Sequence, residues 1–154
     1  MTLAYPAREL WPDRLYNLPE LQYPETLNAC AELLDKHVIE GRGAAPAVYF
    51  NESILTYSQV LERVTQLAAV LRREGIEPGD RVLLRLFNRP AFIVSWLAVL
   101  RIGAVVVATA PAIKSRELNA VLESARPKVL ISESELLDEL TRTENSRSAR
   151  LLSI

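Results

Sequence analysis

Residues 77–108, EPGDRVLLRLFNRPAFIVSWLAVLRIGAVVVA, decide the fold. Val82 to Leu86 is a short, almost wholly apolar run with the length of a strand. Pro90 suits the first turn of a helix, and Gly103 closes that helix. Val105 to Ala108 is then a second strand, rich in β-branched residues. Ala91 to Ile113 is long enough to invite a membrane-spanning reading. However, Arg101 and Gly103 interrupt it and Pro111 lies near its end, so a buried helix followed by a buried strand is expected instead.

The same alternation extends in both directions. Upstream, residues 1–25 place Pro6, Pro12, Pro19 and Pro24 among Tyr5, Trp11, Tyr16 and Tyr23. This spacing forbids a continuous helix and predicts an arm lying across another surface. From Thr26 a helical pattern sets Leu27, Ala31, Leu34 and Val38 on one face, and Gly41-Arg42-Gly43 ends it. Ala47–Phe50 and Ile54–Thr56 then read as a hairpin around Asn51-Glu52-Ser53. Thr56-Tyr57-Ser58-Gln59 is a capping box for a helix running to about Glu74, with Val60, Val64, Leu67, Ala68 and Leu71 as its apolar stripe and Gly75 as its stop.

Downstream, Ser115 is the expected N-cap of a helix carrying Leu118, Val121, Leu122 and Ala125. Val129–Ile131 reads as a third strand, followed by a second capping box from Ser132 and Glu135. A polar stretch, residues 141–150, leads to Leu151-Leu152-Ser153-Ile154, the start of a fourth strand. Short apolar strands linked through helices predict an α/β fold: a doubly wound, mostly parallel sheet buried on both faces, with a small N-terminal β-hairpin. The expected organisation is an arm (1–25), an α/β unit (26–140), and a linker opening into a further strand (141–154). A parallel sheet that stops as a strand begins leaves an open edge, so more protein is expected to follow.

A chain of 154 residues can bury roughly 70% of its unfolded surface in one core. Its 18 basic and 19 acidic residues are mixed along the chain and give a net charge of -1, so neither a nucleic-acid backbone nor an anionic membrane has a basic patch to bind. Cys30 is the only cysteine and His37 the only histidine, which excludes an internal disulfide and a zinc-ligand cluster. The first residues, MTLAYPARELWPD, lack the basic start and apolar core of a signal peptide, and a cytoplasmic location is expected.

In open α/β sheets ligands sit beyond the carboxyl ends of the strands. Those ends read Phe87-Asn88-Arg89, Thr109-Ala110-Pro111-Ala112 and Ser132-Glu133-Ser134. None has the glycines of a phosphate cradle, no aspartate follows a strand, and no nucleophile elbow is present. His37 reads as a structural residue near a helix end, Cys30 as a small core residue, and Asn88 and Arg89 as helix-capping groups. Arg85, late in a buried strand, is expected in a structural ion pair.

Three motifs carry a resemblance. Leu55-Thr56-Tyr57-Ser58-Gln59-Val60 resembles the LTYxEL signature of adenylate-forming enzymes, with Gln59 where glutamate is usual. Glu77-Pro78-Gly79-Asp80-Arg81-Val82 resembles their xPGDRV turn, and the segment from Trp96 to Val107 resembles LAxLKAGAxxVP. The match runs from about residue 24 to about residue 140 and is similar to the N-terminal part of AMP-forming acyl-CoA ligases, the aryl-CoA and above all the 2-aminobenzoate–CoA ligases.

The resemblance implies a fragment of an enzyme that joins a carboxylic acid to CoA at the expense of ATP, with Mg2+ assisting. Its partners would be the remainder of the ligase chain, an aromatic acid, ATP and CoA, with no nucleic acid and no membrane. The family's phosphate loop, adenine- and ribose-binding motifs and catalytic lysine have no counterpart in these residues, so no catalytic residue and no metal ligand carries over, and the chain alone is expected to be inactive. What carries over is a loop. Thr109, Ala110, Pro111 and Ala112 match the segment that borders the pantetheine tunnel, though they also serve as a plain strand-to-helix turn. The arginines that some relatives use for the CoA nucleotide are replaced by Leu136-Leu137-Asp138-Glu139. Two rival readings remain: a non-catalytic scaffold or interaction module, dimerising through its open sheet edge or its arm, and a flavodoxin-like cofactor domain.

Overall fold

The computed structural model of the chain describes residues 7–13 and 16–154, and the side chains among them except those of Arg8 and Arg147. Tyr5 and Pro6 of the expected arm lie outside the described residues. The described residues of the arm form two single 3-10 turns, Arg8–Leu10 and Pro19–Leu21, and no longer helix, as its prolines require. Tyr16 and Tyr23 are exposed.

A helix then begins one turn later than its apolar pattern suggests, because Asn28 caps it. Asn28 Oδ1 accepts the N–H groups of Cys30 (3.0 Å) and Ala31 (3.2 Å). The helix is wound in two wide, π-type segments, Ala31–Asp35 and Val38–Arg42. Cys30 and Leu34 are buried, but Leu27 is exposed because it precedes the cap. Gly41, at φ 81°, ends the regular winding in a conformation that costs other residues dearly. His37 stacks on Tyr57 with ring centroids 4.3 Å apart, a structural use of the imidazole.

The hairpin follows as read: β1 (Pro46–Phe50) pairs antiparallel with β2 (Ser53–Thr56). Helix α1 (Tyr57–Arg73) opens on the Thr56 capping box. Thr56 Oγ1 accepts from Gln59 N (3.3 Å), while Gln59 Oε1 accepts from Thr56 N (2.9 Å). Strand β3 (Arg81–Arg85), helix α2 (Pro90–Arg101), strand β4 (Val105–Thr109), helix α3 (Ser115–Ala125) and strand β5 (Val129–Ser132) come next. A 3-10 turn, Ser134–Leu136, leads into the short helix α4 (Leu137–Thr141); a second, Glu144–Ser148, leads into strand β6 (Arg150–Ser153).

The four later strands form one parallel sheet in the order β4-β3-β5-β6. Side chains alternate across it. Val82, Leu84, Val129 and Ile131 meet Val60, Val64, Leu71 and Val99 of α1 and α2 on one face. Leu83 and Leu130 meet Leu118, Leu122 and Leu140 of α3 and α4 on the other. Each such side chain contributes about 1.5–3 kcal/mol of burial. Full burial on both faces, expected for every strand, holds only for the central pair: β4 and β6 are edges, with Val105 and Leu151 about two-fifths exposed (38% and 41%).

Two expected caps are corrected. Ser132 stays in register within β5 and its hydroxyl donates to the Glu133 carbonyl, so it forms no box with Glu135; a tight 3-10 turn takes the chain into α4. Ser115 is the first residue of α3 rather than its cap, and its N–H is taken by Glu139 of α4. Among the described residues no helix is long and apolar enough to cross a membrane.

Candidate functional site

The parallel sheet brings three loops to one end. The loop after β4 is held from below by Arg85, the last residue of β3. Arg85 is 1% exposed, and among the described residues no carboxylate is the hydrogen-bond partner of its guanidinium. Instead Nη1 donates to the carbonyl of Ala110 (3.3 Å), and Nη2 to those of Pro111 (2.9 Å) and Ile113 (3.0 Å). The expected ion pair is therefore corrected: backbone carbonyls are Arg85's partners, and its Nε has none among the described residues. Burial lowers the guanidinium pKa and the nearby charge of Glu139 opposes that effect; arginine stays protonated regardless.

Both ends of this loop are tied as well. The Thr109 hydroxyl donates to the Leu84 carbonyl (3.2 Å), which turns it into the sheet. At the far end, Glu139 Oε1 accepts both the Ser115 N–H and the Ser115 hydroxyl, each at 2.7 Å. The Ser115 hydroxyl bond first, and the backbone bond second, hold the Glu139 carboxyl below the usual range.

The loops after β3 and β5 are joined by Glu133, which is 6% exposed. Its Oε1 accepts the Phe87 N–H (2.9 Å) and its Oε2 pairs with Arg89 Nη1 (2.7 Å). Arg89 also reaches Glu135 (3.4 Å) and stacks over the Phe87 ring, its guanidinium carbon 4.7 Å from the centroid. Arg89 therefore occupies the backbone cap position of α2 without a side-chain cap bond, and its charge serves Glu133 instead. Asn88 is likewise no cap; it stands exposed on the rim between two hollows.

The smaller hollow, about 280 Å3, is lined by Leu86, Asn88, Phe92 and Ala108 together with Thr109, Ala110 and Pro111; Ala112 continues the loop beyond that lining. The larger, about 610 Å3, is apolar and lies between the N-terminal helix, β1 and α2, with Phe92 and Trp96 packed edge to face in its wall. Asn88 and Phe92 border both. Thr109, Ala110 and Pro111 line one hollow together, whereas Glu133 and Glu139 were not expected from the sequence. Glu133 carried a usable signal, an acidic residue directly after a buried strand; Glu139 carried none, since it acts across 24 residues.

This end of the sheet can present a wall of small side chains to a slender ligand. Among the described residues no three His, Cys, Asp or Glu side chains converge as metal ligands. Cys30 is fully buried, as read; burial first raises its thiol pKa, against the opposing contact of Arg101 Nη1 at 3.9 Å.

The profile of the family described as AMP-binding enzyme matches residues 35–153. The mouse (Mus musculus) mitochondrial acyl-CoA synthetase short-chain family member 3 is 31% identical over 144 residues, covering 82% of this chain and 21% of that protein. A benzoate CoA ligase from Burkholderia xenovorans LB400 shares the fold with a TM-score of 0.77 at 24% identity, over 84% of this chain and 26% of that one. An anthranilate CoA ligase, solved with anthranoyl-AMP, does so with a TM-score of 0.76 at 21% identity, over 81% and 24%. The chain thus spans about a fifth of the length of the mouse relative it matches. With the profile covering more than half of its residues, the chain belongs to the AMP-binding enzyme family.

Proposed function

We propose that this chain is the N-terminal α/β part of an AMP-forming acid–CoA ligase, inactive until joined to the remainder. In that reaction a carboxylate attacks the α-phosphate of ATP, giving an acyl-adenylate and pyrophosphate. The CoA thiol then displaces AMP to leave the thioester. Magnesium, where present, neutralises phosphate charge; no residue of this chain is assigned to it. An aromatic acid such as 2-aminobenzoate is the proposed substrate and the cytoplasm the proposed location. The likeness of segments 23–43 and 105–111 to aryl-CoA ligases supports the first.

The observation that carries the reading is the loop at residues 109–112. Its outward surface is made of small residues, and its one hydroxyl is spent on the sheet. Such a surface lets a thin chain pass close to the backbone and offers nothing that could react with it. It suits a wall beside the pantetheine arm of CoA, with the chemistry supplied from elsewhere.

The test has two arms. The chain alone, given ATP, magnesium, CoA and 2-aminobenzoate, should release no pyrophosphate; steady turnover would overturn the inactive reading. A benzoate–CoA ligase whose matching segment is replaced by residues 24–140 should still form benzoyl-CoA. A folded chimaera that makes no thioester would sink the ligase assignment.

A further inference from the structure

We infer that Arg85 is the positioning residue that sets the course of residues 109–113, and through it the clearance the loop offers to the pantetheine arm; the second half rests on the ligase reading above. A guanidinium taken out of water is costly, and an apolar residue of similar volume would give a more stable core. Arg85 is nonetheless 1% exposed, on the face of the sheet packed by α3 and α4. What it does there, and leucine or methionine could not do, is draw three carbonyls of one loop toward a single point.

Those three bonds decide which way the peptide planes face. With the Pro111 carbonyl turned inward to Nη2, the trans peptide turns the Ala112 N–H the opposite way. The Ile113 N–H folds back onto the Ala110 carbonyl at 3.2 Å, which closes the turn. The loop therefore lines the hollow with Thr109, Ala110 and Pro111, none of them a long side chain. Thr109 at one end and Glu139 on Ser115 at the other prevent the loop from drifting as a unit. Lysine cannot replace the arginine, because one compact ammonium cannot hold three acceptors spread along a planar fork.

The test uses the isotope-labelled chain, followed by NMR, as wild type, Arg85→Met and Arg85→Lys. In R85M the amide of Ile113, which the turn bonds to the Ala110 carbonyl, should exchange with solvent about tenfold faster, while those of Leu83 and Leu130 keep their protection. Titration with CoA should shift the amides of Thr109, Ala110, Ala112 and Ile113 in the wild type, and the apparent affinity should fall about fivefold in R85M. R85K should lie between the two in both measurements. A wild-type exchange rate at Ile113 in R85M overturns the clamp. Should R85M not fold, R85K decides alone, and unchanged loop exchange there overturns the clamp equally. If CoA leaves the wild-type loop amides unmoved, the ligase reading of the loop falls, while the exchange rates still judge whether Arg85 sets it.

Discussion

Removing the Glu133 carboxylate should cost more than removing the arginine it pairs with, although the two share one ion pair. The side chain of Glu133 is 8% exposed and that of Arg89 is 42% exposed. In Glu133→Ala the Phe87 N–H loses its acceptor, a penalty of about 1–3 kcal/mol for a group shielded from water. Arg89 loses only a partner it can replace with solvent and with Glu135, worth about 0–1 kcal/mol. The sum is about 3 kcal/mol for E133A, or roughly 9 °C in Tm for a chain of this length. Glu133→Gln keeps an oxygen for Phe87 and forfeits the charge, so it should cost about 1 kcal/mol, and Arg89→Ala should cost less than about 1 kcal/mol. Urea denaturation with an unchanged m-value measures all three. The reasoning is refuted if R89A destabilises as much as E133A, because the Phe87 amide would then not be what Glu133 serves.

Other perturbations test separate parts of the structure. Thr56→Ala should cost about 1 kcal/mol by opening the capping box, and Gln59→Ala added to it should cost less than it does alone, as a denaturation double-mutant cycle would read. The depressed pKa of Glu139 stabilises the fold in full above the ordinary glutamate value of about 4.3, and this contribution is lost as pH falls through the lower folded value. Ser115→Ala should move the Glu139 carboxyl titration upward by NMR; an unmoved midpoint would remove Ser115 as the cause. Cys30, fully buried and with its thiol pKa raised, should react with a disulfide reagent about a hundredfold more slowly in the native chain than in urea, and prompt native labelling would contradict its burial.

The elements legible in the sequence were those whose determinants lie within a few residues of one another. The capping box at Thr56, the hairpin around Asn51 and the Gly75 and Gly103 stops are local bargains between a side chain or a positive φ and nearby backbone, and each stands where its residues put it. The central strands were legible because both faces are apolar. Arg85 was legible as a problem but not as its solution, since its acceptors lie 25 to 28 residues away and are carbonyls that any residue type supplies. Ser115 and Ser132 misled for a related reason: each has cap chemistry, yet a distant carboxylate took over the first helix start and strand pairing retained the second residue. Glu133 was overlooked by a search for aspartate in the position a glutamate holds.

Strand order gives the Glu133 bridge a wider meaning. On leaving β3 the chain departs for one flank of the sheet, to β4; on leaving β5 it departs for the opposite flank, to β6. The two routes part between β3 and β5, and in sheets of this kind the parting is a natural berth for a bound molecule. Here the protein has moored a carboxylate of its own in that berth, fastened to the Phe87 amide and the Arg89 guanidinium. An arriving anion would meet like charge there, and the way left open runs along the flank, past β4 and its alanines.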